Sequence, residues 1–297
     1  MFDITLLTDK RYLQTKDGDW YNNNIITEDR LVSEALIKKG LKVTRTNWDD
    51  PDFDWTSTRF AMFRTTWDYF DRFEEFDKWI TTTATRTNFI NPVPLIRWNI
   101  DKHYLADLKL KGINIPPTIF IEPGSEKTLR DLIKNVSWEK FILKPAISGA
   151  ARHTYLFDES NVSELESVFK ELITNESMLL QEYQYQIMER GEVALMVMGG
   201  KFTHAVLKKA KSGDFRVQDD FGGTVHDYIP DKNMIILAET IVKTCPIIPA
   251  YARVDLIWSD TNELLLSELE LIEPELWFRK FPAAADVLAE AIMKFIE

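Results

Sequence analysis

A predicted β-hairpin near the C-terminus carries three acidic residues at spacings that place them on one face. Asp255 lies in the apolar segment 252–258, and Glu268 and Glu270 lie in the apolar segment 264–272. Side chains two apart on a strand share a face, and the intervening turn brings Asp255 opposite Glu268. We expect no local positive charge there, so a hard cation such as Mg²⁺ is the expected occupant. The alternative is that the acids solvate the outer face of the hairpin.

Composition and charge limit the classes of function. The chain has 297 residues, 45% of them hydrophobic, enough for two or three domains with large cores. Its net charge of −11 argues against nucleic acid or an anionic membrane as a partner, which leaves small molecules. The single cysteine, Cys245, suits a reducing cytoplasm. The N-terminus lacks a signal-peptide pattern, and no segment is apolar enough to span a membrane.

The first ninety residues alternate short apolar segments with helical periods. Strands are predicted at 4–8, 41–44 and 60–63, and helices from Thr27 to Gly40 and from Phe73 to Ile80. This order predicts an open α/β unit, which Pro92 and Pro94 end.

Ligands of an open α/β sheet bind beyond the carboxyl ends of its strands. Arg64, Trp67 and Tyr69 follow the third predicted strand, so we assign them to a substrate, with the arginine facing a carboxylate. The alternative is core packing for the two aromatic residues and a surface ion pair for Arg64.

A lysine interrupts an apolar strand in the middle of the chain. Lys144 lies in the segment 141–145, and small residues follow it at 146–151. A buried lysine needs an anion, and successive backbone N–H groups in such a loop form an anion site. The alternative is that Lys144 reaches solvent from an edge strand.

Four further segments have weaker patterns. The segment 178–183 predicts a strand whose backbone reads a planar base, and Gly199-Gly200 predicts a hairpin between strands at 191–198 and 201–208. The loop 212–223, with its glycines and Arg216, suits close approach to a charged ligand. Ser163 and Glu166 form a capping-box pattern.

Together these segments resemble the ATP-grasp superfamily along essentially the whole chain. The resemblance rests on Lys102, Lys144, the small-residue loop, Gln181-Glu182-Tyr183 and the late acidic cluster. The segments 64–69, 214–218 and 268–274 are similar to the branch related to glutathione synthetase and RimK-type ligases. The commoner ending of the metal motif is Glu-x-Asn, whereas this chain has Glu268-Leu269-Glu270, which adds a negative charge.

The resemblance implies a three-domain α/β (α+β) ATP-grasp fold. Its parts would be an N-terminal α/β substrate domain at 1–94, a central lid domain at 95–183 and a C-terminal metal-binding domain at 184–297. The implied activity is that of an ADP-forming, ATP-dependent carboxylate–amine ligase that forms an acyl phosphate, or of a ligase that cyclises one substrate. The alternative is a nucleotide-binding module without turnover. The implied partner is an amino acid-like or peptide carboxylate, and the implied assembly is a homodimer.

The resemblance also implies site residues. Those for ATP are Lys102, Lys144, Ser148, Gly149, Gln181, Glu182, Tyr183, Glu192 and Lys208. Those for one or two Mg²⁺ ions, with Mn²⁺ as an alternative, are Asp255, Glu268 and Glu270. Arg216 and Lys144 are the catalytic candidates, and Arg64, Trp67 and Tyr69 face the substrate. His204 either touches phosphate or ribose or is a satisfied core histidine.

Overall fold

The N-terminal part of the chain is a parallel α/β unit. In this computed structural model, which describes residues 1–211, 213–217 and 222–296, the first sheet has the strand order β2-β1-β3-β4. Its elements are β1 (Phe2–Thr8), α1 (Trp20–Lys38), β2 (Val43–Asn47), β3 (Thr58–Thr65), α2 (Phe73–Thr83) and β4 (Asn88–Ile90). The open α/β prediction is confirmed, and the carboxyl ends of the strands face one edge.

The start predicted for the first helix is wrong. Helix α1 begins at Trp20, seven residues before Thr27, and the Asp19 side chain caps it by accepting from the Asn22 N–H at 3.0 Å. Thr27 lies inside the helix, where its hydroxyl donates to the Asn23 carbonyl at 2.8 Å. Asp19 is a stronger cap because its carboxylate accepts an N–H that the first turn leaves unpaired.

The central part of the chain forms an antiparallel sheet of order β5-β8-β6-β7. Its elements are α3 (Val93–Asn99), α4 (Tyr104–Leu110), β5 (Thr118–Ile121), α5 (Leu129–Ile133), β6 (Lys140–Pro145), β7 (Tyr155–Asp158), α6 (Val162–Leu172) and β8 (Met178–Glu182). The predicted capping box of α6 is wrong, because Ser163 and Glu166 accept hydrogen bonds from Arg130 instead. A capping box is present at α5, between Thr128 and Asp131.

The C-terminal part forms a five-stranded sheet of order β11-β10-β9-β12-β13. Its elements are α7 (Gln186–Arg190), β9 (Glu192–Met198), β10 (Lys201–Lys209), β11 (Thr224–Tyr228), α8 (Lys232–Thr244), β12 (Tyr251–Trp258), β13 (Leu264–Glu270) and α9 (Ala283–Ile296). Asp255 pairs with Glu268 in the register of β12 and β13, as predicted. The Gly199-Gly200 turn joins β9 to β10, also as predicted.

Buried hydrogen bonds join the first sheet to the third. The Asn91 side chain donates to the carbonyls of Tyr251 at 3.1 Å and Leu271 at 2.8 Å, and accepts from the Ala250 N–H at 2.7 Å. The Tyr251 hydroxyl lies 3.1 Å from the Phe63 carbonyl. Helices α1 and α9 also pack into one apolar core. No helix within the described ranges is long and apolar enough to cross a membrane.

Candidate active site

A cavity of about 420 Å³ lies where the three sheets meet, a size that suits a small-molecule ligand. Most of the site residues predicted from the sequence line it: Trp67, Tyr69, Lys102, Lys144, Ser148, Gly149, Gln181, Glu182, Tyr183, Glu192, Lys208, Arg216, Glu268 and Glu270. Arg64 and Asp255 are not among the lining residues.

The three acids of the hairpin converge at one end of the cavity. Asp255, Glu268 and Glu270 each offer a carboxylate oxygen, and these oxygens lie within 4.8 Å of one another. Strand pairing causes this convergence, because Asp255 lies opposite Glu268 and Glu270 follows on the same face. An all-oxygen donor set of this kind fits a hard divalent cation.

Local cations neutralise this acidic cluster, contrary to the expectation from the sequence. The Arg253 guanidinium binds Asp255 at 2.9–3.1 Å and also binds Glu270. The Lys208 ammonium lies 2.9 Å from Asp255 and binds Glu192. Burial would raise the pKa of Asp255, but Arg253 and Lys208 hold that pKa below its ordinary value.

Glu270 is in a different electrostatic state from Asp255. Burial raises the pKa of Glu270 to about 8, with Glu268 and Asp255 adding repulsion that Arg253 only partly offsets. This residue stands at the position where the commoner motif has an asparagine. Because a bound cation would favour the ionised form, the structure is compatible with metal binding at Glu270.

Two lysines of the central part lie beside Glu268. The Lys102 ammonium lies 3.2 Å from the Glu268 carboxylate and donates to the Ser148 carbonyl at 2.5 Å. Burial lowers the pKa of Lys144 to about 8, and Lys102 lowers it further, whereas Glu268 raises it. A polyanion placed between these lysines would relieve both the desolvation and the repulsion.

The part of the cavity beside the end of strand β8 carries several apolar side chains. Strand β8 ends there at Glu182, and the N–H groups of Glu182 and Tyr183 donate to Pro117 and Lys140. The apolar lining residues at this end are Pro116, Ile142, Ile187 and Ile257. Apolar walls of this kind suit a planar base, although the N–H groups of Glu182 and Tyr183 are already paired.

The small-residue loop after β6 packs against the N-terminal part of the chain. A Cβ built on Gly149 would lie 2.4 Å from a ring carbon of Phe70, so only glycine allows this approach. Arg152 of the same loop pairs with Glu176 at 2.9 Å and with Asp71 at 3.6 Å. The loop therefore covers the cavity while touching the first sheet unit.

The structure separates the three residues predicted to face a substrate. Trp67 and Tyr69 line the cavity, whereas Arg64 is only 1% exposed and pairs with Asp29 at 3.3 Å. The assignment of Arg64 to a substrate carboxylate does not fit this placement. Asp29 lies on helix α1, so the partner of Arg64 belongs to the first sheet unit itself.

Of two other predicted site residues, Arg216 lies at the cavity and His204 lies in the core. Arg216 lines the cavity and its guanidinium binds Asp214 at 2.7 Å. Residues 212 and 218–221 of the same loop lie outside the described residues. His204 is a core histidine: its Nε2 lies 2.7 Å from the Leu276 carbonyl, and burial lowers its pKa to about 4.

The sequence analysis missed five charged residues that line the cavity: Arg11, Asp71, Arg253, Glu273 and Glu275. Arg253 precedes Asp255 by two positions, so the two-residue period of a strand places both on one face. Glu273 follows the end of β13, where no strand period applies, and its environment depends on Tyr69 from the first sheet unit.

Comparison with known proteins agrees with this geometry. The sequence-family model of the RimK-like ATP-grasp domain matches residues 101–272, which is more than half of the chain. The chain belongs to the RimK-like ATP-grasp family. Residues 4–91 of this RimK-like ATP-grasp protein also match the model of the N-terminal domain of D-cycloserine synthetase DcsG.

Individual relatives extend the likeness to both ends of the chain. The cycloserine biosynthesis protein DcsG of Streptomyces lavendulae is 28% identical over 261 residues, which are 82% of this chain and 85% of the relative. The crystal structure of D-cycloserine synthetase DcsG superposes with a TM-score of 0.87 at 25% identity and covers 99% of each chain. The ATP complex of D-alanine–D-alanine ligase from Bacillus anthracis has a TM-score of 0.65 at 14% identity, covering 99% of this chain and 97% of that one.

These matches confirm the ATP-grasp fold predicted from the sequence. This RimK-like ATP-grasp protein is an ATP-dependent ligase. ATP and divalent metal ions are the general requirements of the family, and the acidic cluster with its adjacent lysines fits both of them.

Proposed function

We propose that this ligase uses ATP to convert a small-molecule carboxylate into an acyl phosphate, which an amine or a similar nucleophile then displaces. One observation supports the proposal above the others. Lysine ammonium groups from the central part and carboxylates from the C-terminal hairpin meet in one cavity, and the edge of the first sheet closes that cavity.

In this proposal the nucleotide lies along the cavity. Its base lies beside Gln181, Glu182 and Tyr183, against the apolar side chains near the end of β8. Its phosphates reach Lys102 and Lys144, the two ammonium groups beside Glu268. The loop at Ser148 and Gly149 covers the phosphates and excludes water, which would otherwise hydrolyse an acyl phosphate.

The metal ligands in this proposal are Asp255, Glu268 and Glu270. They would hold one or two Mg²⁺ ions, or Mn²⁺, and a metal bound there would offset phosphate charge. Lys208 binds both Asp255 and Glu192, so it orients the acid rather than contacting the nucleotide directly in this arrangement. Arg253 holds Asp255 and Glu270 in place.

The proposed reaction has two steps. A carboxylate oxygen of the substrate attacks the γ-phosphorus, and the bond to the β–γ bridging oxygen breaks to release ADP. A nitrogen then attacks the acyl carbon, the bond to the phosphate oxygen breaks, and the nitrogen loses a proton. Arg216 lines the same cavity, where its positive charge would stabilise the acyl phosphate or the tetrahedral intermediate.

The name of one relative, the cycloserine biosynthesis protein DcsG, suggests a substrate type. D-Cycloserine is a cyclic hydroxamate, so its ring amide corresponds to an aminooxy nitrogen joined to the carboxyl carbon of O-amino-D-serine. We include intramolecular closure of such an aminooxy acid in the proposal, beside ligation of two separate molecules.

The test is an assay of ADP and phosphate release with ATP, Mg²⁺ and a panel of carboxylates. The panel contains O-amino-D-serine, other amino acids with and without a second amine, and short peptides, and products are identified by mass spectrometry. Carboxylate-stimulated ADP release supports the proposal.

We expect Lys144→Ala to weaken ATP binding and Glu268→Gln to fold normally but turn over slowly. With a carboxylate that carries no amine or aminooxy group, trapping the acyl phosphate with hydroxylamine should give a hydroxamate; ADP release from that carboxylate without a trapped hydroxamate would contradict the acyl phosphate route.

A further inference from the structure

Glu273 lies at the cavity three residues beyond Glu270 and is fixed by contacts with the first sheet unit. The Trp67 indole N–H donates to the Glu273 carbonyl at 2.9 Å. The Tyr69 hydroxyl lies within hydrogen-bonding reach of the Glu273 carboxylate. Its backbone and its side chain are therefore both held, while the carboxylate remains at the cavity wall.

No lysine or arginine among residues 1–211, 213–217 and 222–296 forms an ion pair with Glu273. The neighbouring acid Glu275 pairs with Arg279 at 2.5 Å, and the hairpin acids pair with Arg253, Lys208 or Lys102. Burial raises the pKa of Glu273 to about 7, which reflects a carboxylate that is desolvated without enough positive charge nearby. A cation bound from the cavity would supply that charge.

Three aromatic rings form a cluster that includes Trp67, the residue hydrogen-bonded to the Glu273 carbonyl. The ring centroids of Tyr12 and Trp67 lie 5.8 Å apart, those of Tyr21 and Trp67 lie 6.2 Å apart, and those of Tyr12 and Tyr21 lie 6.3 Å apart. All three rings line the cavity that Glu273 lines. The Arg11 guanidinium lies 5.4 Å from the centroid of the Tyr12 ring, so this cluster already accommodates one cation. A group of aromatic rings beside a carboxylate is a typical environment for an organic ammonium ion.

We propose that Glu273, together with the rings of Tyr12, Tyr21 and Trp67, binds an ammonium group next to the reacting carboxylate of the substrate. This inference rests on the proposed function, because it assumes that a carboxylate reacts at the lysine and metal end of the cavity. It narrows the substrate to an amino acid that presents its α-amino group to the first sheet unit. Glu273 is then a residue that determines specificity.

A matched pair of substrates tests this assignment. O-Amino-D-serine and 3-(aminooxy)propanoate have the same carboxylate and nucleophile, but only the first has an α-ammonium group. We expect the unmodified ligase to prefer O-amino-D-serine in kcat/KM. Glu273→Gln should raise the KM for O-amino-D-serine about tenfold or more, because a charged hydrogen bond is lost, and leave 3-(aminooxy)propanoate nearly unchanged. Glu273→Asp should restore part of the preference.

The control variant is Glu182→Gln, which changes a cavity acid at the end of strand β8 that is also in no ion pair within the described part of the chain. Its preference between the two substrates should equal that of the unmodified ligase, whatever its affinity for ATP. An equal loss of kcat/KM for both substrates in Glu273→Gln, or an unchanged preference for O-amino-D-serine, would overturn the inference.

A binding measurement separates this inference from the proposed function. Calorimetric titration of D-serine and of 3-hydroxypropanoate, with ADP and Mg²⁺ present, requires no turnover. Binding of D-serine that is tighter than that of 3-hydroxypropanoate and depends on Glu273 supports the ammonium site even if no ADP is released in the assays. Lack of any such preference in both the kinetic and the binding measurements overturns the site.

Discussion

The Glu270 carboxylate is bound by the guanidinium of Arg253, which lies directly opposite it on the neighbouring strand. The same guanidinium binds Asp255. Arg253 thus pairs with two proposed metal ligands and partly offsets the extra acid in Glu268-Leu269-Glu270. The rest of the compensating charge would have to come from a bound cation.

This arrangement predicts the effect of removing the Glu270 charge. We expect Glu270→Gln to fold, because an amide of the same shape remains, and to weaken Mn²⁺ binding about tenfold, since one charged ligand is lost. Electron paramagnetic resonance titration of Mn²⁺ measures this. Glu239→Gln, which changes an acid outside the cavity, is the control. Unaltered Mn²⁺ affinity in Glu270→Gln would remove Glu270 from the set of ligands.

The contact between Gly149 and Phe70 predicts that a single methyl group displaces the covering loop. Gly149→Ala places a carbon 2.4 Å from the Phe70 ring, so the loop must move away from the first sheet unit. We expect weaker ATP binding and more phosphate release without product. The double variant Gly149→Ala with Phe70→Leu should recover part of the product formed per phosphate released, since leucine leaves room for the methyl group. If the two changes are merely additive, steric contact is not the cause.

The burial of Arg64 predicts a defect in stability and none in substrate affinity. Arg64→Met removes one partner of a buried ion pair and leaves Asp29 with Arg45 alone, which should cost about 3 kcal/mol of unfolding free energy. Urea denaturation measures this, and the KM for the carboxylate should stay the same. A large rise in KM in a normally stable variant would return Arg64 to the substrate site.

The lowered pKa of His204 predicts that part of the unfolding free energy depends on pH. Its folded pKa of about 4 lies below the ordinary value of 6.5, so between these values the unfolded chain binds a proton that the folded chain does not. Stability should therefore fall as the pH drops from 6.5 towards 4, by up to about 3 kcal/mol from this residue. Urea denaturation across this range should show a flatter dependence for His204→Gln. Parallel curves for both proteins would contradict this role.

Local patterns predicted the parts of the fold that depend on local geometry. The Asp255–Glu268 register follows from strand period and turn length, and the Gly199-Gly200 hairpin from two adjacent glycines. The start of α1 was wrong because several polar residues of the segment could cap a helix, and only Asp19 lies where the helix begins. Choosing between such caps requires the packing of the helix on its sheet.

The site was less predictable where its residues depend on other elements. The partner of Arg64 comes from helix α1, and the contacts that hold Glu273 come from Trp67 and Tyr69, about two hundred positions earlier in the chain. No sequence period links residues so far apart. Arg253 is the exception, because the two-residue period of β12 already places it beside Asp255.

The buried hydrogen bonds of Asn91 have a consequence for how such ligases can be recombined. An excised N-terminal unit would leave the Asn91 amide without the carbonyls of Tyr251 and Leu271, and helix α1 without α9. Exchanging this segment between paralogues, to transplant a substrate preference, therefore requires the matching C-terminal surface as well. The part that can be exchanged as a unit consists of two segments, one from each end of the chain. The central sheet lies between them in the sequence.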